Sequence, residues 1–184
     1  MGVVLTMTMV IITALAITRE RERGTMENLL ATPARPFEVM TGKILPYIVV
    51  GYVQLSLILV FAVPMVGSVV LLYVVAFVFI AANLAVGITF STVAKNQLQA
   101  MQMAFFFFLP SILLSGFMFP FRGMPDWAQN LGSVLPLTHF LRIVRGILLK
   151  GNGPLEILPH LWPMLLFLTV ALMIGVKRYR QTLD

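Results

Sequence analysis

Two histidines, His139 and His160, and a few polar side chains inside long apolar runs are where this chain would have to do chemistry. A metal site needs histidines joined to carboxylates or thiolates at ligand spacing. There is no cysteine, and the neighbouring acids, Asp126 and Glu156, stand at no such spacing. Catalysis inside a membrane needs a nucleophile with a base in reach. The polar candidates are Gln54, Ser56, Asn83, Thr89, Ser91, Ser111 and Ser115, and none pairs with a histidine or carboxylate in a triad-like pattern. Their simpler role is hydrogen bonding between helices, worth about 0.6–2 kcal/mol each. No G-x-x-x-x-G-K-(S/T) loop is present, so ATP is not bound through one. No Asp, Glu or His lies deep in an apolar run, where an ion-coupled transporter keeps one.

The remaining chemistry is in residues 18–43. They hold Arg19, Arg21, Arg23, Arg35 and Lys43 with Glu20, Glu22, Glu27 and Glu38. Thr25 to Thr32 reads as a short helix with Met26, Leu29 and Leu30 on one face. Thr25 is placed to cap its start, although a full capping box would need an acid or glutamine at Asn28. Pro33 and Pro36 close it and open the next helix. A solvated loop would account for the arginines. It would not require an apolar face, which suits a docked partner protein.

The elements that must position this segment are membrane spans. Of 184 residues, 59% are hydrophobic and 11% charged, against about 25% charged in a soluble domain. Apolar runs cover about 1–17, 44–63, 69–93, 100–119 and 158–176, giving an all-α bundle of five spans in one transmembrane domain, 1–184. Residues 1–17 could also be a signal peptide, but no basic segment precedes them and five charged residues follow at once. In a soluble chain the net charge of +6 would suggest nucleic acid. Here the basic residues flank spans, which points to anionic lipid and to no nucleic acid. Placing 18–43 inside puts nine of the thirteen Lys and Arg on the cytoplasmic side, together with the C-terminus. Residues 120–158 then lie outside. Within them Leu137, Phe140, Leu141, Val144 and Leu148 form a helical stripe, with His139, Arg142 and Arg145 away from part of it. Such a helix would lie in the interface or dip back into the membrane.

Arg19-Glu20-Arg21-Glu22-Arg23-Gly24-Thr25-Met26-Glu27-Asn28-Leu29-Leu30-Ala31-Thr32-Pro33 resembles the R-E-x-G-T-x-E-x-L-L-x-(T/S)-P signature of ABC-2 type exporter permeases. Ser115 to Pro120 followed by Met124-Pro125 and Trp127 resembles a second stretch of that family, and Leu135 to Phe140 with Arg142 and Arg145-Gly146 a third. The resemblance implies that Glu22, Gly24, Thr25, Glu27, Leu29, Leu30 and Pro33 belong to a coupling helix that docks on a separate cytoplasmic ABC ATPase. ATP and Mg²⁺ would be bound there, and this chain would hold no cofactor. It implies an extracellular gate made from Gly116, Pro120, Pro136, Thr138, His139, Arg142 and Arg145 on re-entrant helices. It also implies a dimer with a second permease copy, in a bacterial inner membrane, exporting a drug-like, lipid or glycan amphiphile. Family members carry six spans, so the five here correspond to the last five, with a first helix and often a large extracellular segment before them. A membrane scaffold without transport activity, or an intramembrane enzyme, are the alternative readings.

Overall fold

The computed structural model describes residues 1–25, 31, 33, 35–62 and 66–181. Among them there is helix and no strand. Five helices are long and apolar enough to cross a membrane: α1 (Gly2–Glu22), α2 (Pro36–Ala62), α3 (Val69–Val93), α4 (Gln97–Leu114) and α7 (Pro154–Gln181). Between α4 and α7 lie two short helices, α5 (Asp126–Val134) and α6 (Pro136–Arg145), the second extended by a wide turn, Gly146–Lys150.

The helix α3 is the hub. Two thirds of its apolar window is buried inside the bundle, against 11% for α2. It packs on α1 and α7 over most of its length, and on α2, α4 and α6 over shorter stretches. Small residues make this possible, because without a water-driven hydrophobic effect spans associate through close backbone packing and polar contacts. At Gly87 an added Cβ would sit 1.8 Å from the Thr13 hydroxyl of α1 and 2.8 Å from the Val10 carbonyl, so the two backbones meet there only because the residue is glycine. The Ser91 hydroxyl, one turn on, accepts from the backbone N–H groups of Ile17 (2.8 Å) and Thr18 (3.1 Å). Apolar side chains on the outer faces, such as Val60, Phe106 and Leu155, are left for lipid.

Several polar side chains in the spans have the interhelical role expected of them. Gln54 accepts from Thr8 at 2.9 Å, joining α2 to α1, and Ser56 meets the Tyr73 hydroxyl, joining α2 to α3. Ser111 and Ser115 instead bond carbonyls of their own helix, Phe107 and Ile112. Asn83, fully buried, donates to Phe79 in its own helix, and its carbonyl oxygen has no partner among the described residues.

The helix boundaries differ from the sequence reading in two ways. The helix α1 runs on through Glu22 and α2 begins at Pro36, because charged ends of a span can stay helical beyond the apolar run. The fourth span ends at Leu114, not Phe119. Gly116 adopts φ +79° there, a left-handed geometry that glycine tolerates and that stops a helix.

Candidate functional site

The charged run at the end of α1 is held by the bundle, one residue at a time. Glu20 forms an ion pair with Lys43 of α2. Arg21 donates from Nη1 to the Ala94 carbonyl at 3.0 Å, at the C-terminal cap of α3, where a cation meets the negative end of the helix dipole. Glu22 accepts from the backbone N–H of Gln97 at 2.7 Å and from the Gln97 side-chain amide, at the first turn of α4. A carboxylate there satisfies an N–H group that the helix itself leaves free. Asn96 caps the same helix by accepting from Gln99 at 2.8 Å. Three consecutive charged residues therefore grip three different spans.

After Glu22 the chain leaves through a hydrogen-bonded turn. Gly24 has φ +71°, its N–H donates to the Arg21 carbonyl (3.3 Å), and the Thr25 N–H donates to Glu20 (3.1 Å). This is a Schellman closure, with glycine at the one position that must be left-handed. The Thr25 hydroxyl also donates to the Glu20 carbonyl, at 3.2 Å, so it serves the end of α1. The residues it was expected to cap, with Glu27, Leu29 and Leu30, lie outside the described residues. Pro33 is exposed.

At the other end of the bundle the chain turns a corner. The axes of α5 and of α6 with its wide turn meet at 85°. Pro136 opens α6, where a missing N–H costs nothing. Thr138 donates to the Gly132 carbonyl at 2.6 Å, and His139 Nε2 lies 2.7 Å from the Ser133 carbonyl, so the first turn of α6 satisfies the free carbonyls that end α5. Phe140, fully buried, stacks on Phe79 of α3 at 4.0 Å between ring centroids. Arg142 lies 4.4 Å above the Phe121 ring, just after Pro120, and Arg145 reaches the Gly116 carbonyl at 3.3 Å. Of the seven residues expected at a gate, Arg145 meets Gly116, Thr138 and His139 meet the end of α5, and Arg142 lies over the ring that follows Pro120.

The helix α6 is packed into the bundle against α3 and α7, with every residue of its apolar stripe buried. His139, expected to face away from part of the stripe, lies where α5, α6 and α7 meet. It is buried, because both ring nitrogens have partners within the fold: Ser133, and His160 of α7 at 3.4 Å. The sequence places these histidines 21 residues apart and gives no sign that they meet. Also missed are Arg21, Lys43 and Gln97, which looked like ordinary loop polarity. The alternation of acid and base in 19–23 is the one signal that could have pointed to them.

Replacing Thr138 by valine keeps the side-chain shape and removes the bond to Gly132. The Gly132 carbonyl keeps the Leu135 N–H at 3.2 Å, so the loss is that of one buried hydrogen bond, about 0.5–1.5 kcal/mol. A lower unfolding midpoint in detergent is expected. An unchanged midpoint would mean that the corner does not depend on this bond.

The match to known proteins runs through these same elements. Residues 1–149 match the family described as ABC-2 type transporter. The chain belongs to that family. It is 32% identical over 169 residues to the "Probable multidrug ABC transporter permease YbhR" of Escherichia coli K12, covering 89% of this chain and 46% of that protein. It is 34% identical over 193 residues to the "Inner membrane transport permease YhhJ" of the same organism, covering 97% of this chain and 50% of that one. A more distant relative is "ABC transporter G family member 20" of Dictyostelium discoideum, 26% identical over 147 residues, covering 77% of this chain and 20% of the relative. The chain spans about half the length of the bacterial relatives it matches. No solved structure matches it.

Proposed function

We propose that this chain is the transmembrane part of an ABC exporter permease, driven through the end of α1 by a separate ATP-binding subunit. The observation that carries the reading is the grip of Glu20, Arg21 and Glu22 on α2, α3 and α4. A load applied to the segment after Gly24 reaches three spans at once through these contacts. That end of the bundle is assigned to the cytoplasm because the basic residues cluster there. The ATPase carries ATP and Mg²⁺, and its closure pushes on residues 25–33. A second permease copy completes the pathway between two such bundles.

The opposite layer is the outer gate in this reading. Its groups hold one another: Arg145 the end of α4, Thr138 and His139 the end of α5, and His139 with His160 the start of α7. Tilting of α4 by Glu22 would shift Gly116 relative to Arg145 and open the corner. The cargo is an amphiphile, in keeping with the multidrug names of relatives and with the apolar lining of the spans.

The test is co-purification with the cognate ATP-binding subunit. Glu27→Arg and Leu30→Asp are each expected to abolish association, since a reversed charge and a charge on the apolar face both oppose docking. Retained association and full ATP-coupled export in both variants would remove the coupling role. A scaffold without transport would show neither dependence on these residues nor export.

A further inference from the structure

At the arginine-rich end, α1 and α2 part and leave a cleft of about 450 Å³. Ile12, Leu15, Ala16 and Tyr47 line its apolar length, and Arg19 and Arg23 stand at its mouth. A second lobe of about 290 Å³ continues along Gly42, Lys43 and Pro46. Ile12, Leu15, Arg19 and Arg23 follow one another at steps of three or four, so they form a single stripe of α1. From Ile12 to Arg19, where the charged mouth begins, this stripe rises about 10 Å. Half the hydrocarbon thickness of a bilayer is about 15 Å.

The charges in the cleft are not balanced. Glu20 is neutralised by its ion pair with Lys43. The guanidinium groups of Arg19 and Arg23 make no hydrogen bond or ion pair with a described residue. Two guanidinium groups with no partner among the described residues, above an apolar groove that runs into the leaflet, fit an anionic head on an acyl chain. Guanidinium matches phosphate through paired N–H donors. In the second lobe, Pro46 lacks an N–H, so the Gly42 carbonyl loses the donor that a helix supplies four residues on, and a hydroxyl on the same head group would take that place.

We propose that this cleft binds one anionic phospholipid from the surrounding leaflet, its phosphate on Arg19 and Arg23 and an acyl chain along Ile12, Leu15 and Tyr47. The site needs no ATPase partner. Loss of coupling and loss of lipid selectivity are therefore separate results.

The probe is quenching of a single tryptophan by brominated lipid. Trp127→Phe and Trp162→Phe remove the two native indoles, and Tyr47→Trp puts one in the cleft. The protein is reconstituted in vesicles containing brominated-chain phosphatidylglycerol or, separately, brominated-chain phosphatidylcholine. Phosphatidylglycerol is expected to associate about fivefold or more tightly, and Arg19→Gln with Arg23→Gln to bring the two lipids near parity. Equal quenching by both lipids before the arginines are changed would mean ordinary boundary lipid and overturn the proposal. Absence of quenching by either would mean that protein covers the cleft, and would also overturn it. A second measurement avoids the tryptophan substitutions. After detergent exchange the unsubstituted protein should retain phosphatidylglycerol, and Arg19→Gln with Arg23→Gln should lose it. Equal retention overturns the proposal.

Discussion

Gly87→Ala is expected to destabilise this bundle by about 2–4 kcal/mol. The new Cβ would fall 1.8 Å from the Thr13 hydroxyl and 2.8 Å from its Cβ. Thr13 is fully buried and its hydroxyl donates to the Met9 carbonyl at 2.5 Å, so it has little freedom to swing away. The Val10 carbonyl, also 2.8 Å from the new atom, belongs to the backbone and has none. The two helices must therefore separate. That strains the packing of Val10 and Ala14 against Ala85 and Val86, and it pulls Ile17 and Thr18 from the Ser91 hydroxyl. Overpacking of a tight contact costs typically 1–3 kcal/mol, and the lost hydrogen bonds add about 1 kcal/mol. Unfolding by SDS in mixed micelles reads this directly. Thr13→Gly in the Gly87→Ala background should recover part of the loss, since it removes the nearest obstacle and leaves the carbonyl. If Gly87→Ala unfolds like the unsubstituted protein, α1 and α3 do not cross where they are described.

Glu22→Ala is expected to separate ATP hydrolysis from export. The substitution leaves residues 26–30 unchanged, which dock in the proposed function, so on that reading the ATP-binding subunit should still co-purify and still hydrolyse ATP. What is lost is the pair of hydrogen bonds that ties the α1 terminus to the first turn of α4. Residues on a coupling route change coupling by about 0.5–2 kcal/mol, so export per ATP should fall by about tenfold. Gln97→Pro gives an independent check. Proline is tolerated in the first turn of a helix, and it removes both groups that donate to Glu22. It should reproduce the Glu22→Ala result from a different span, without touching the segment that docks. Normal export in both variants would show that force reaches α4 by some other path.

Much of the bundle can be read from the sequence because hydropathy alone locates a span. The third span, 69–93, matches the apolar run at both ends, bounded by Ser68 as a cap and Ala94 before a charged link. The first and fifth overrun their apolar runs because helix geometry does not stop where hydropathy does. The charged and gate residues are harder to read. Their types mark them, but their partners are set by tertiary packing. Glu22 and Gln97 are 75 positions apart, and Arg145 and Gly116 are 29 apart. No local pattern carries such pairs. His139 shows the limit most clearly, since as a polar residue on an amphipathic helix it reads as an interfacial contact with no named partner. It is buried because another element brings a second histidine to it.

The closed turn at Gly24 has a mechanical consequence. A flexible linker absorbs a displacement of its end as entropy, and a stroke of a few ångströms would be spent in taking up slack. Here α1 ends in backbone hydrogen bonds through Arg23, Gly24 and Thr25, so the segment beyond it is mounted on a stiff bracket. In the proposed function, motion delivered to that segment would leave it as rotation of a rigid rod. The amplitude available at the far end of the bundle is then set by the length of α1, and little of it is lost at the joint.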